Sequence, residues 1–331
     1  MSILPNKVFF QGLGGAGQRH LRIFRGLLPN AEFFAFRRTL STPLLNSDFT
    51  VDSHNNLKDK YNLRVVSNID EAWESNPELT IISLPSSMQA AATVQAANKG
   101  IDVFSEKPAI VGINDSKDIE LAVKQNKTNF FVSFQRKFHP LFLKTKELVD
   151  SGEIGEVMSV SVNVSSYVPD WHPYEDFMDL YACRKDLGGG VLRTECHEVD
   201  MIFNLFGKPI KVQSQARCSG PYELDVEDSV DLLLDYEQFG VQVSVCFMQK
   251  FQERKIVIKG QKGFINCDFL NESLIFQMLG MSEICKIEEK FGMDEMFTAQ
   301  ASDYLSNIPN YTEESLNTIT NLSSLFDSIK Y

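Results

Sequence analysis

Apolar positions in the first 135 residues fall into short runs separated by helical stretches. Val8-Phe9-Phe10-Gln11 stops at Gly12, after which Leu21, Phe24 and Leu28 recur at helical spacing. Phe33–Phe36, Thr80–Leu84, Ile101–Phe104 and Asn129–Ser133 are further β-rich runs, with helices expected at Ser87–Lys99 and around Ser116–Gln125. Short apolar strands separated by helices predict a parallel sheet with both faces covered. Thr39–Asn56 is polar and reads as a long loop.

The pattern changes after a helix at about Pro140–Asp150. Met158, Val160, Val162 and Val164 alternate with Ser159, Ser161, Asn163 and Ser165, and Val241, Val243, Val245 and Phe247 repeat the alternation. Period two means strands with one buried and one polar face. Further strands are expected at 210–218, 229–236, 254–259 and 263–278, and helices at 293–307 and 312–329. This half reads as an open, mostly antiparallel sheet with helices on one face. Its other face calls for a homodimer or homotetramer built sheet to sheet.

Composition narrows the class. The chain has 331 residues, 43% hydrophobic and 23% charged, with a net charge of −12. That balance disfavours nucleic acid and anionic membranes as partners. Residues 1–40 are nonetheless +5, which leaves −17 on the remainder and suits a small phosphorylated ligand at the basic end. No apolar run reaches a membrane span, and the N-terminus does not read as a signal peptide. The six cysteines show no zinc-ligand spacing, so neither a disulfide framework nor a metal is expected. The location expected is cytoplasmic.

Gly12-Leu13-Gly14-Gly15-Ala16-Gly17 matches G-x-G-x-x-G between a strand and an amphipathic helix. In that context Gly12 permits the turn, Gly14 admits a pyrophosphate, and Gly17 lets helix pack on strand. Residues 1–135 are therefore assigned as a dinucleotide-binding Rossmann domain with a doubly wound parallel sheet. Residues 136–331 form a substrate-binding and oligomerisation α+β domain. Glu32 precedes the second strand, and where an NAD-type carboxylate would stand there are Arg37 and Arg38, which favours NADP over NAD. Pro85 and Glu106 complete the expected cofactor contacts, with Gly15 and Ala16.

Lys107, in Glu106-Lys107-Pro108, ends a parallel strand where such sheets meet ligands. Downstream, Gly188-Gly189-Gly190 leads into a helix on which Arg193, His197, Asp200 and Asn204 share a polar stripe. Such a stripe borders a cavity, since burying those groups unpaired is costly.

At these residues the chain resembles the glucose–fructose oxidoreductase/inositol dehydrogenase/rhizopine-catabolism (Gfo/Idh/MocA) family. The shared markers are the Gly12–His20 loop, Glu106-Lys107-Pro108, Phe138-His139-Pro140, and the triple glycine leading to His197-x-x-Asp200. Trp171–Asp176 followed by Arg184–Gly188 resembles a branch linked to surface-glycan sugar biosynthesis. The resemblance implies NAD(P)-dependent hydride transfer at a sugar, sugar-derivative or cyclitol carbon. It makes Lys107 and His197 the catalytic residues, with Lys107 also near the cofactor. Substrate contacts are expected from Gln135, Arg136, Tyr174, Arg193, His197 and Asp200. One departure is Arg193, where many members carry an aspartate four residues before the histidine; Glu195 and Asp200 are the alternative carboxylates. Two rival readings are a non-catalytic dinucleotide-binding regulator of the same fold and an NAD-assisted glycosidase. His20, His54 and His139 are read as structural.

Overall fold

The computed structural model describes residues 4–36, 42–281, 285–288 and 290–329. The N-terminal apolar runs become β1 (Lys7–Gln11), β2 (Glu32–Phe36), β3 (Leu63–Val66), β4 (Leu79–Ile82), β5 (Asp102–Glu106) and β6 (Phe130–Ser133). Among the described residues they form a sheet of order β3-β2-β1-β4-β5-β6 in which every pair is parallel. Strand order reverses between β1 and β4, the switch point where doubly wound sheets bind ligands. Val8, Phe9, Phe10, Ile81 and Phe104 are shut off from solvent, as strands covered on both faces must be. The connecting helices are α1 (Gly15–Leu27), α2 (Leu57–Tyr61), α3 (Ile69–Glu74), α4 (Ser86–Ala97) and α5 (Ile113–Asn126).

Three of these elements are absent from the hydrophobic pattern: β3, α2 and α3. The edge strand β3 buries Leu63 and Val66 and exposes the two residues between them, so it neither alternates nor runs apolar. Glu32 opens β2 rather than preceding it, which still leaves it at the end of the strand opposite the ligand-binding edge.

In the second unit, α6 (Pro140–Asp150) leads to β7 (Val157–Tyr167), followed by α7 (Val191–Thr194), α8 (His197–Phe206), β8 (Lys211–Arg217) and β9 (Ser229–Asp235). Then come β10 (Gly240–Cys246), β11 (Met248–Gly260), β12 (Gly263–Asp268), β13 (Ser273–Met278) and β14 (Cys285–Glu288). Among the described residues the sheet order is β14-β13-β12-β11-β7-β10-β9-β8, antiparallel except for the pairing of β7 with β10. A parallel pair needs a long crossover, and this one carries α7 and α8. Val160, Val162, Val164, Val241, Val243 and Val245 are buried, while Ser159, Gln213, Gln242 and Leu233 on the other face are exposed.

The last helices are α9 (Met293–Asn307) and α10 (Thr312–Asp327). Phe297–Ser323 and His172–Asp176 group with the first unit, so the compact units differ from a single cut at 135/136. The reason is apolar: Phe297, Ala301, Tyr304, Leu305 and Ile308 join the core of the parallel sheet. Thr312 Oγ1 and Ser315 Oγ also accept hydrogen bonds from the N–H groups of Phe130 and Val132, covering the edge strand β6. No described helix is long and apolar enough to cross a membrane.

Candidate active site

The glycine loop has the geometry its sequence predicts. Gly12 has φ +91°, and a Cβ there would collide with the Ser83 carbonyl oxygen. A Cβ on Gly17 would collide with Gly12 itself, so helix α1 packs directly on the turn. A Cβ on Gly14 would meet nothing within 4 Å. The N-terminus of α1 has no side-chain cap and no acidic residue in its first turn, so its N–H groups and positive dipole end suit an anion. Beside the loop lies a crevice of about 340 Å³ lined by Gly12, Gly14, Phe36, Thr42, Ile69 and Pro85, among others. Strand termini, open glycine and uncapped helix together fit a dinucleotide. Arg37 and Arg38 lie outside the described residues.

Lys107 follows β5 directly, and its backbone N–H donates to Glu106 Oε2 at 3.2 Å. Glu106 Oε1 is held by His20 Nε2 at 2.6 Å, both side chains being almost wholly buried. His20 thus joins the glycine-loop helix to the strand end that carries the lysine. The ring packs on Phe24, Phe104 and Phe297, and its hydrogen bond spans 86 residues.

The segment after the triple glycine is not one helix. It breaks at Glu195 and Cys196, so α7 carries Arg193 while α8 carries His197 and Asp200. This corrects the single polar stripe. His197 and Asp200 are buried, at 5% and 3% exposure, and His197 packs edge-on to Phe134 with ring centroids 5.7 Å apart. Lys137 Nζ lies 3.5 Å from Asp200 Oδ2. Glu195 bonds to Ser166 and Arg254, and Glu198 bonds to Arg254. Arg193 donates to the Gly189 carbonyl at 3.1 Å and lies over the Phe326 ring.

Two family descriptions match the chain: residues 7–134 as an oxidoreductase family with an NAD-binding Rossmann fold, and residues 142–266 as a GFO/IDH/MocA C-terminal domain. The chain belongs to the GFO/IDH/MocA oxidoreductase family. An uncharacterized oxidoreductase of Schizosaccharomyces pombe is 28% identical over 219 residues, which is 61% of this chain and 56% of the yeast protein. The scyllo-inositol 2-dehydrogenase (NAD(+)) of Bacillus subtilis is 26% identical over 180 residues, 51% of this chain and 50% of that enzyme. The chain thus spans about half the length of these two relatives. The WlbA dehydrogenase of Bordetella pertussis, solved with NADH and UDP-GlcNAcA, superposes with a TM-score of 0.77 over 99% of this chain and 96% of its own, at 18% identity.

Two of the expected substrate contacts have close neighbours of their own in this GFO/IDH/MocA member. Tyr174 lies on the cofactor loop: a Cβ on Gly15 would come within 3.1 Å of its hydroxyl and 2.8 Å of Phe49. Tyr174 also stacks on His172, and burial raises its pKa. Arg136 is directed at Glu198, 4.0 Å away. Burial, with the like charge of Arg254, pulls its pKa down to about 10. Gln135 is buried at the start of the same short turn.

Proposed function

We propose that this protein is an NAD(P)-dependent dehydrogenase or reductase acting on a CH–OH or keto carbon of a sugar, sugar derivative or cyclitol. The observation that carries the reading is the open Gly14 beneath an uncapped helix, beside the strand end that presents Lys107. The names of the inositol dehydrogenase and of WlbA support the substrate class. A nicotinamide dinucleotide held by Gly12, Gly14, Gly15, Ala16, Gly17, Pro85 and Glu106 supplies the hydride chemistry. Arg37 and Arg38, in place of an acidic residue, favour NADP.

The chain's own residues handle the proton. His197 exchanges it with the reacting oxygen, a task suited to an imidazole near neutrality. Lys107 hydrogen-bonds the same oxygen and stabilises its developing negative charge. Gln135, Arg136, Tyr174, Arg193 and Asp200 complete the substrate contacts of this proposal. It also includes a cytoplasmic location, supported by the free cysteines among the described residues.

The test combines thermal shift with turnover. NADPH should stabilise at lower concentration than NADH, adding roughly 2.7 kcal/mol at about 100 times its dissociation constant. Absorbance assays with NADP+ or NAD+ and a panel of scyllo-inositol, aldoses and UDP-sugars should then find turnover. His197→Ala should lower that turnover about 10²–10⁴-fold while the NADPH shift persists. Equal losses of turnover and cofactor binding would remove His197 from the mechanism. NADH acting at lower concentration would make Arg37 and Arg38 bystanders.

A further inference from the structure

The residues flanking His197 converge on a side chain that no sequence motif marks. Arg254 stands in β11 with its side chain 7% exposed. Its Nη2 donates to Glu195 Oε2 at 2.6 Å and its Nη1 to Glu198 Oε1 at 2.5 Å. Glu195 is the C-cap that follows α7, and Glu198 lies in the first turn of α8. One guanidinium therefore grips the chain two residues before His197 and one residue after it. We infer that Arg254 is the positioning residue of His197, a forked clamp across the break between α7 and α8 that sets the direction of the imidazole.

The chemistry favours positioning over plain stabilisation. Arg254, Arg136, Glu195 and Glu198 are four charges taken largely out of water, and such clusters are often no more stable than an apolar core of the same volume. Burial works to lower the Arg254 pKa, but Glu195 and Glu198 outweigh it and hold it above the ordinary value. What the cluster supplies is geometry. At Glu195 the backbone leaves the helix, with φ −103° and ψ 33°, so backbone hydrogen bonding alone does not set the angle at which α8 starts. A planar guanidinium holds its two Nη donors at a fixed separation, one for each acid, whereas an ammonium offers a single nitrogen on a flexible stem. Ser166 Oγ donates to the other oxygen of Glu195 at 3.3 Å, adding a tie to β7.

This inference rests on the reading of His197 as the proton carrier, and the experiment separates the two. Histidine-15N-labelled protein has five imidazoles to resolve (His20, His54, His139, His172 and His197), with His197 assigned through His197→Ala. Arg254→Lys should shift the His197 ring resonances and leave those of His20, His54 and His172 in place. With a substrate from the panel above, its turnover should fall about 10- to 100-fold, as a small misplacement of a reacting group does. NADPH affinity should stay within about twofold. Glu195→Gln, which keeps the volume and the Glu198 bond, should give a smaller shift of the same kind and serves if Arg254→Lys does not fold. Unchanged His197 resonances in a folded Arg254→Lys protein overturn the clamp, whatever His197→Ala does. Shifted resonances alongside full turnover in His197→Ala uphold the clamp and remove the proton-transfer reading instead.

Discussion

The side chain of His20 carries more than its sequence position suggests. With its proton on Nε2 it donates to Glu106, and Nδ1 has no hydrogen-bond partner among the described residues. His20→Phe fits the surrounding rings but strips Glu106 of its donor. It should cost about 1–3 kcal/mol in urea unfolding and reduce turnover, because the carboxylate that holds the Lys107 N–H loses its anchor. His20→Gln, which retains a donor, should recover part of both. A His20→Phe protein as stable and as active as wild type would show that the hydrogen bond is incidental. The motifs Gln18-Arg19-His20 and Glu106-Lys107-Pro108 are both visible in the chain, but only the parallel sheet makes them neighbours.

Among elements, α6 shows how a cap couples to pH. His139 Nδ1 accepts the N–H of Leu141 at 3.2 Å, a role open only to an unprotonated nitrogen. Burial, reinforced by Arg136, lowers the His139 pKa to about 4, although Glu272 pulls the other way. The folded pKa lies below the unfolded value of about 6.5. His139 therefore contributes stability in full above about pH 6.5, and loses it as pH falls toward about 4, where the unfolded chain binds the proton and the folded chain does not. His139→Asn keeps a capping oxygen without titrating. Unfolding free energies measured from pH 4 to pH 7 should fall less steeply with acid for the variant than for wild type. Equal slopes would mean that other groups carry the dependence. The break between α7 and α8 belongs to the same scale: helical periodicity in Leu192–Phe206 is continuous, so only the pull of Arg254 and the packing of the triple-glycine turn reveal two helices.

For the molecule as a whole, one face of the antiparallel sheet is exposed around β9 and β10 among the described residues. Leu233 is 55% exposed there, amid Ser159, Gln213 and Gln242. We propose that this face pairs with its copy in a homodimer or a larger homo-oligomer, as a self-complementary surface does. Size-exclusion chromatography with light scattering should give at least twice the monomer mass, and Leu233→Asp should shift the protein toward monomer. A monomer at micromolar concentration in wild type would refute the pairing.

Much of this protein was legible along the chain. Strong local patterns carried it: apolar runs for β1, β2, β4, β5 and β6, period-two alternation for β7 and β10, and the glycine loop with its uncapped helix. These depend on neighbours in sequence, so periodicity and spacing suffice to read them. The tertiary structure alone decided the rest. It brought α9 onto the parallel sheet, laid Tyr174 against Gly15, tied His20 to Glu106, and closed Arg254 around both flanks of His197. Each of those depends on partners tens of residues apart, and burial in three dimensions selects such partners without leaving a mark on local hydrophobic pattern.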